Sequence, residues 1–385
     1  MSHLRGCGVS FTIPHVKSWD VIVIGGGIIG LSLAIELRKQ DVHVLVIERG
    51  EPGREASYAA AGMLAAAGDE FPPALKPLAE ESARMYPEFV HELEDESGLK
   101  VDLRDQGTIL ISCDGHLPAG AELLSAQRLK SLEPAIEVSK IYQDDSGTTS
   151  GPTPVGSAPN RICAAHLAER SVDPRELVAA AIKAAKHRCV DISSGTEVKE
   201  LIVEGGRATG VRTDRTSYAA GMVVNCAGAW AGSITPFEFP VKPVKGQMLA
   251  VVAGPAIKHV IRSKDVYLVP RSDGKLVIGS TLEDAGFNKQ TDVGTLERLL
   301  SNAVGLYPGL AKARRHEAWA GLRPGTPDEL PILGETAISG FFAATGHYRD
   351  GILLAPVTAR AMADLMLKGI SGHSLAPFSP GRFGL

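Results

Sequence analysis

The segment Val21 to Leu37, "VIVIGGGIIGLSLAIEL", constrains the fold more than any other stretch of the chain. Its first four residues are apolar and β-branched, as a strand buried on both faces requires. Gly25, Gly27 and Gly30 then supply G-x-G-x-x-G, and Leu31 to Lys39 continue with good helix formers. A second apolar run, "VHVLVIE", ends on Glu48, eighteen residues after Gly30. Each position has a physical task in binding a dinucleotide. The first glycine makes the turn, the second lets a pyrophosphate approach the backbone, and the third lets helix and strand pack closely. Free N–H groups near Ile28 and the positive end of the helix dipole would meet the phosphates. Glu48 can accept a hydrogen bond from a ribose 2′-hydroxyl and would repel a 2′-phosphate. The pattern predicts strand–turn–helix–strand, the first unit of a parallel α/β sheet. Three consecutive glycines and a charged end argue against a membrane span. The fingerprint alone does not separate FAD from NAD.

Composition narrows the class of partner. The chain has 385 residues, long enough for two or three domain-sized units, with 44% hydrophobic and 22% charged residues. A net charge of −4 gives no reason to expect nucleic acid or an anionic membrane as partner. The five cysteines form no C-x-x-C pair and have no histidines at ligand spacing, so neither structural zinc nor a disulfide framework is expected. A cytoplasmic protein fits that usage. Residues 1–18 lack the apolar core and cleavage site of a secretory signal, and residues 1–17 are expected to be a disordered extension. Asp144 to Arg161, rich in Gly, Ser and Pro, is expected to be a mobile loop.

Later segments add candidate sites. "EASYAAAGMLAA", Glu55 to Ala66, reads equally as a packed helix or as a small-residue backbone lying against a planar ring. "GTEVKELIVEGGRATGVRTD" predicts a hairpin around Gly205-Gly206, feeding a buried strand in "MVVNCAGAWAG" that ends at Ala227-Gly228. "VDPRELVAAAIKAAKH" predicts a helix with Asp173 as N-cap and Pro174 at N1. "SKDVYLVPRSDGKLVIGST" predicts a hairpin turning at Ser272-Asp273-Gly274, with Tyr267 on its first strand. Arg323, between "AWAGL" and a Pro-Gly turn, is hard to bury without an anion: either a ligand carboxylate or an internal bridge to Glu317 or Asp328. "GHYRDGILLAP" sets His347, Tyr348, Arg349 and Asp350 before Gly351 and an apolar run, with a helix expected to begin about Pro356. No Ser-His-Asp order, metal ligand set or carboxylate pair stands out.

In this order, the motifs "SYAAAGML", "VDPRELVAAA", "VVNCAGAWAG", "VYLVPR", "GLRPGTPDELPILG" and "GHYRDGILLAP", with the glycine loop and Glu48-Arg49, resemble the D-amino-acid oxidase superfamily of FAD enzymes, most closely its glycine oxidase branch. The resemblance runs from Asp20 nearly to the C-terminus. It implies a Rossmann-like FAD-binding domain of the GR2 type over 18–80, 168–234 and 320–377, and a smaller mixed-sheet α+β substrate domain over 81–167 and 235–319. FAD would bind noncovalently, against Gly25, Gly27, Ile28, Ile29, Gly30, Glu48, Arg49, Ala56, Ser57, Ala61, Gly62 and Met63, with Val198 at the adenine and Ala227 and Gly228 making a second approach. His347, Tyr348, Arg349, Asp350, Gly351, Ile352 and Leu353 would wrap the pyrimidine side of the flavin, with a helix N-terminus near N1–C2=O. Tyr267 and Arg323 would hold the substrate carboxylate, and the Arg349 carbonyl the amine.

The implied reaction is oxidative deamination of glycine, and of sarcosine and small D-amino acids. Hydride would pass to flavin N5 and oxygen would return hydrogen peroxide. The imine would yield a 2-oxoacid and ammonia, or feed thiamine thiazole synthesis. Relatives form homotetramers, and neither membrane nor nucleic acid is implied. An amino-acid dehydrogenase, or a sarcosine or D-amino-acid oxidase, stands as the alternative. A flavin linked to a cysteine late in the chain has no candidate, because Cys226 is the last cysteine. Asp265 stands where relatives can carry a histidine.

Overall fold

The computed structural model describes residues 18–66, 72–112, 115–141, 163–252 and 257–385; the 1–17 extension and the 144–161 loop lie outside them. The first apolar run becomes the strand Ser18–Ile24, which pairs in parallel with Val44–Glu48 on one side and with Ser217–Asn225 on the other. This eight-stranded sheet continues through Asp191–Ser194 at one edge and the hairpin Val198–Glu204/Arg207–Thr213 at the other, with Phe341–Thr345 and Ile332–Glu335 joined to Ser217–Asn225. The alternation of a buried strand decides what each face meets. Val21, Val23, Val44 and Val46 enter one core cluster, with the glycine-loop helix Ile28–Arg38 and the helices Lys76–Ser97, Pro174–His187 and Gly351–Lys368. Ile22, Ile24, Leu45 and Ile47 enter a separate cluster on the other face, with Phe239 and Phe341. Both faces are covered, as the expected α/β class requires.

The glycine loop turns where only glycine fits. Gly25 has φ +107°, and a Cβ there would lie 2.5 Å from the Cys226 carbonyl oxygen. A Cβ on Gly30 would lie 2.1 Å from the Gly25 carbonyl oxygen, so the third glycine sets how closely helix and strand approach. The Asp173 cap forms as predicted, its carboxylate accepting from the Arg175 N–H at 2.8 Å. Both predicted hairpins form, at Gly205-Gly206 and between Tyr267–Pro270 and Lys275–Gly279.

The second sheet, also of eight strands, runs in the order Arg314–Gly325, Lys242–Val252, Lys275–Gly279, Tyr267–Pro270, Val260–Arg262, Thr108–Ser112, Cys163–Leu167 and Glu122–Leu124. One face packs Leu268, Leu276 and Ile278 with Leu299, Ala303 and Leu310 into its own core. The other turns Val269 and Val277 toward Ala61, with Tyr267 and Trp319 beside them. A three-stranded sheet of Met63–Leu64, Arg170–Val172 and Leu103–Arg104 bridges the two.

Three expectations change. The expected cut at residue 80 divides the helix Lys76–Ser97, whose Leu78, Ala79, Tyr86, Val90 and Leu93 all pack in the core of the first sheet. The expected cut at 320 falls inside the strand Arg314–Gly325, which pairs along the second sheet. The C-terminal helix begins at Gly351 rather than Pro356, which lies within it. Its missing N–H leaves the Ile352 carbonyl without a helical donor, and the Tyr86 hydroxyl donates to that carbonyl instead, at 2.6 Å.

Candidate active site

A cleft of about 420 Å³ runs between the two sheets, from Thr196 and Val198 at one end to Tyr267, Ser280 and Arg323 at the other. The wall at the first end combines the glycine-loop backbone with polar and aromatic side chains. Gly25, Gly27, Ile28 and Ile29 line it at the N-terminus of the glycine-loop helix, where Gly27 offers no side-chain cap. Ser57 Oγ accepts from the Ile28 N–H at 3.0 Å, which places a hydroxyl at the mouth of that helix. Glu48 is buried and its two carboxylate oxygens accept from the Gly26 and Gly50 N–H groups, each at 2.8 Å. Arg49 lies over the Trp230 ring at 3.6 Å, and Trp230 stacks in turn on Phe287.

The segment Ala56 to Met63, apart from Tyr58, lines the middle of the cleft and is only partly the packed helix that was one of its two readings. Only Ala56–Ala59 is helical, after which the chain turns at Gly62, φ +78°, into Met63–Leu64. Two of its carbonyls accept from side chains that do not line the cleft. Trp319 Nε1 donates to Ala59 O at 3.0 Å, and Arg271 Nη2 to Ala61 O at 2.7 Å. Arg271 is nearly fully buried and pairs with Asp173.

The far end is built from side chains. Arg323 and Tyr267 extend from two strands of the second sheet over two glycines: a Cβ on Gly246 would lie 2.3 Å from Arg323 Nη1, and one on Gly279 2.4 Å from the Tyr267 hydroxyl. Arg323 Nη1 donates to Thr281 O at 3.1 Å and Nη2 to Ser280 Oγ at 2.6 Å. Both acceptors are neutral. The internal bridges weighed from sequence are not made, because Glu317 pairs with Arg175 and Asp328 with Arg382. Each terminal nitrogen of Arg323 spends one N–H and retains another, a pair of donors suited to a carboxylate. The Tyr267 hydroxyl donates to Met248 Sδ at 3.2 Å, a weak acceptor. Burial pushes its pKa up, against the opposing pull of the Arg323 charge, so it stays protonated as a donor.

The C-terminal motif closes the site. His347, Tyr348, Arg349, Asp350, Gly351 and Ile352 all line the cleft. His347 is buried, its Nε2 lies 3.1 Å from Thr358 Oγ1, and burial lowers its pKa to about 3, so the imidazole is neutral. The helix N-terminus at Gly351 opens to the cleft with no side-chain cap from Asp350.

Of the residues expected from sequence, Ala61, Gly62, Ala227 and Gly228 line the cleft with the others named above, while Gly30 and Leu353 do not. Gly30 is spent on packing against Gly25, and Leu353 is 2% exposed with its side chain in the first core. Sequence reading missed Ser280, Met248 and Trp230. Trp230 had a signal, a large ring among small residues in "CAGAWAG". Ser280 and Met248 had none, since strand pairing alone brings them beside Arg323 and Tyr267. Among the described residues no group of three or more His, Cys, Asp and Glu side chains could hold a metal ion, and no helix is long and apolar enough to cross a membrane.

A glycine-loop cleft that opens into a side-chain pocket on a second sheet is the plan of a redox enzyme with a dinucleotide cofactor. The sequence matches the family described as FAD dependent oxidoreductase over residues 20–365, and the chain belongs to that family. Glycine oxidase from Pseudomonas putida is 34% identical over 376 residues, covering 95% of this chain and 100% of that protein. The crystal structure of glycine oxidase from Geobacillus kaustophilus matches with a TM-score of 0.83 at 30% identity, over 94% of this chain and 98% of that one. The bifunctional protein ThiO/ThiG of Trichormus variabilis is 36% identical over 372 residues; the chain spans 55% of that relative's length. FAD is thus the cofactor, and the site fits it. Two helix N-termini meet one cleft, the first with Ser57 Oγ on its Ile28 N–H and the second with no side-chain cap, and the buried Glu48 stands at the end of the second strand beside the glycine loop.

Proposed function

We propose that the chain oxidises a small amino acid, glycine in the first place and sarcosine or small D-amino acids besides, with oxygen as the final acceptor. One observation carries this reading: Arg323 stands in the cleft with only neutral partners, both terminal nitrogens retaining an N–H, next to the Tyr267 hydroxyl. A carboxylate held by that pair would be oriented by two parallel charge-assisted bonds and a third from tyrosine. The flavin, when bound, supplies the two-electron acceptor. The residues of the chain bind and orient: Arg323 and Tyr267 fix the carboxylate, the Arg349 carbonyl receives the amine, and Met248 keeps the wall beside Tyr267 apolar. Such positioning is the protein's main share in flavin amine oxidation. The products would be the 2-oxoacid, ammonia and hydrogen peroxide. The likeness to the ThiO/ThiG protein supports a role in supplying the glycine imine for the thiazole of thiamine. The family resemblance supports a cytoplasmic homotetramer.

The test is an anaerobic flavin spectrum titrated with glycine and then opened to air. Bleaching by glycine and recovery in air with peroxide is the expected outcome. Bleaching with sluggish recovery would point to a dehydrogenase with another acceptor, and a yellow protein that glycine never bleaches would sink the substrate assignment.

A further inference from the structure

The C-terminal helix has an internal proline as its sixth residue, at the end that opens into the cleft. Pro356 carries no N–H, so the Ile352 carbonyl loses its helical donor. A buried carbonyl left unpaired keeps its desolvation cost with nothing to offset it. Here it is not left unpaired. Tyr86, fully buried on the helix Lys76–Ser97, donates its hydroxyl to Ile352 O at 2.6 Å. Burial pushes the pKa of that hydroxyl well above its ordinary value, so it remains a donor. One turn earlier on the same helix, Ser82 Oγ donates to Leu353 O at 2.6 Å and accepts from the Val357 N–H at 3.4 Å. Ser82 is therefore inserted into the helical bond between residues 353 and 357. Two consecutive carbonyls of the first turn are gripped by side chains some 270 positions earlier in the chain.

The peptide plane links this grip to the cleft. The Ile352 carbonyl shares a rigid plane with the Leu353 N–H, and Gly351, Ile352 and Leu353 carry first-turn N–H groups that an α-helix leaves without an internal acceptor. Asp350, Gly351 and Ile352 line the cleft. Holding Ile352 O fixes the Leu353 N–H directly, and holding Leu353 O fixes the Leu354 N–H, which donates to Asp350 O at 2.8 Å and so ties down the start of the helix that carries the Gly351 and Ile352 amides.

We propose that Tyr86 and Ser82 are positioning residues for the flavin: through the Ile352 and Leu353 carbonyls they hold the helix N-terminus in the direction that favours the reduced, negatively charged cofactor. This rests on the flavin reading above. Neither side chain lines the cleft, and each acts through the helix.

The experiment compares Tyr86→Phe with the parent and with the double variant Tyr86→Phe/Pro356→Ala, where the N–H restored at position 356 can serve the Ile352 carbonyl. Two quantities are read besides the melting temperature: the affinity of apoprotein for FAD, and the reduced-to-oxidised ratio of bound flavin against a redox dye. Tyr86→Phe should weaken FAD binding several-fold and shift the flavin toward the oxidised form by up to tenfold, about 30 mV for a two-electron couple. The double variant should recover most of both. A lower melting temperature with both flavin quantities within twofold of the parent would reduce Tyr86 to a structural residue and overturn the proposal. Ser82→Ala, read in the same way, decides the matter if Tyr86→Phe does not fold. A parent apoprotein that takes up no added FAD would fail differently, sinking the flavin reading itself.

Discussion

The two ends of the cleft are made of different material. The end beside the glycine loop is shaped by the main chain, with Gly25 and Gly30 where neighbouring backbone occupies the space a Cβ would take. The other end is shaped by side chains, Arg323 and Tyr267, standing on a sheet and hydrogen-bonded to Ser280, Thr281 and Met248. The contrast teaches where each end is vulnerable. Backbone recognition fails when volume is added, because nothing can move aside; side-chain recognition fails when a group is removed, and the scaffold survives.

The largest effect is expected at Gly30. A methyl there would sit 2.1 Å from the Gly25 carbonyl oxygen, so Gly30→Ala should exceed the ~1–3 kcal/mol of ordinary overpacking and strip the flavin. Thermal unfolding and flavin content measure it, and a variant that kept both would break the contrast. Arg323→Ala should do the reverse: flavin content and spectrum unchanged, with glycine and carboxylate inhibitors bound about 1–5 kcal/mol more weakly. Equal binding by parent and variant would remove Arg323 from the site.

The third prediction concerns acid. His347 is held neutral in the folded protein, with its pKa near 3 against an ordinary 6.5. Between those values the unfolded chain takes up a proton that the folded chain refuses, so stability falls as pH drops through about 6.5 and goes on falling towards about 3. Above that window the histidine contributes no pH dependence. His347→Gln should flatten this limb in melting temperatures measured against pH; an unchanged slope would assign the acid sensitivity elsewhere. The smallest effect belongs to Tyr267→Phe, which removes one neutral donor and should weaken carboxylate binding by about 0.5–1.5 kcal/mol. A loss as large as that of Arg323→Ala would mean the hydroxyl does more than bind.

The same contrast explains what was legible in the sequence. Gly25, Gly27 and Gly30, the Asp173-Pro174 cap and the two hairpin turns are local demands on the backbone, so local residues announce them. Arg323 was legible as a charge in need of a partner, but that Glu317 and Asp328 are already taken depends on Arg175 and Arg382. The start of the C-terminal helix was misplaced for a similar reason. Proline in a helix's first turn is the usual rule, and the donor that lets Pro356 sit deeper belongs to Tyr86, 266 positions away from the carbonyl it serves. The long helix Lys76–Ser97 was divided because its amphipathic pattern shows that one face is buried, not against which sheet.

The pairing of Ser18–Ile24 between Val44–Glu48 and Ser217–Asn225 has a consequence for how the protein is made. The strand that leads into the glycine loop leaves the ribosome about 200 residues before its partner Ser217–Asn225. At roughly 5–20 residues per second, that is about 10–40 seconds with one edge open. The Gly25 turn leans on the Cys226 carbonyl, so it too waits for that strand. The glycine-loop turn thus takes its final form only once Ser217–Asn225 has been made.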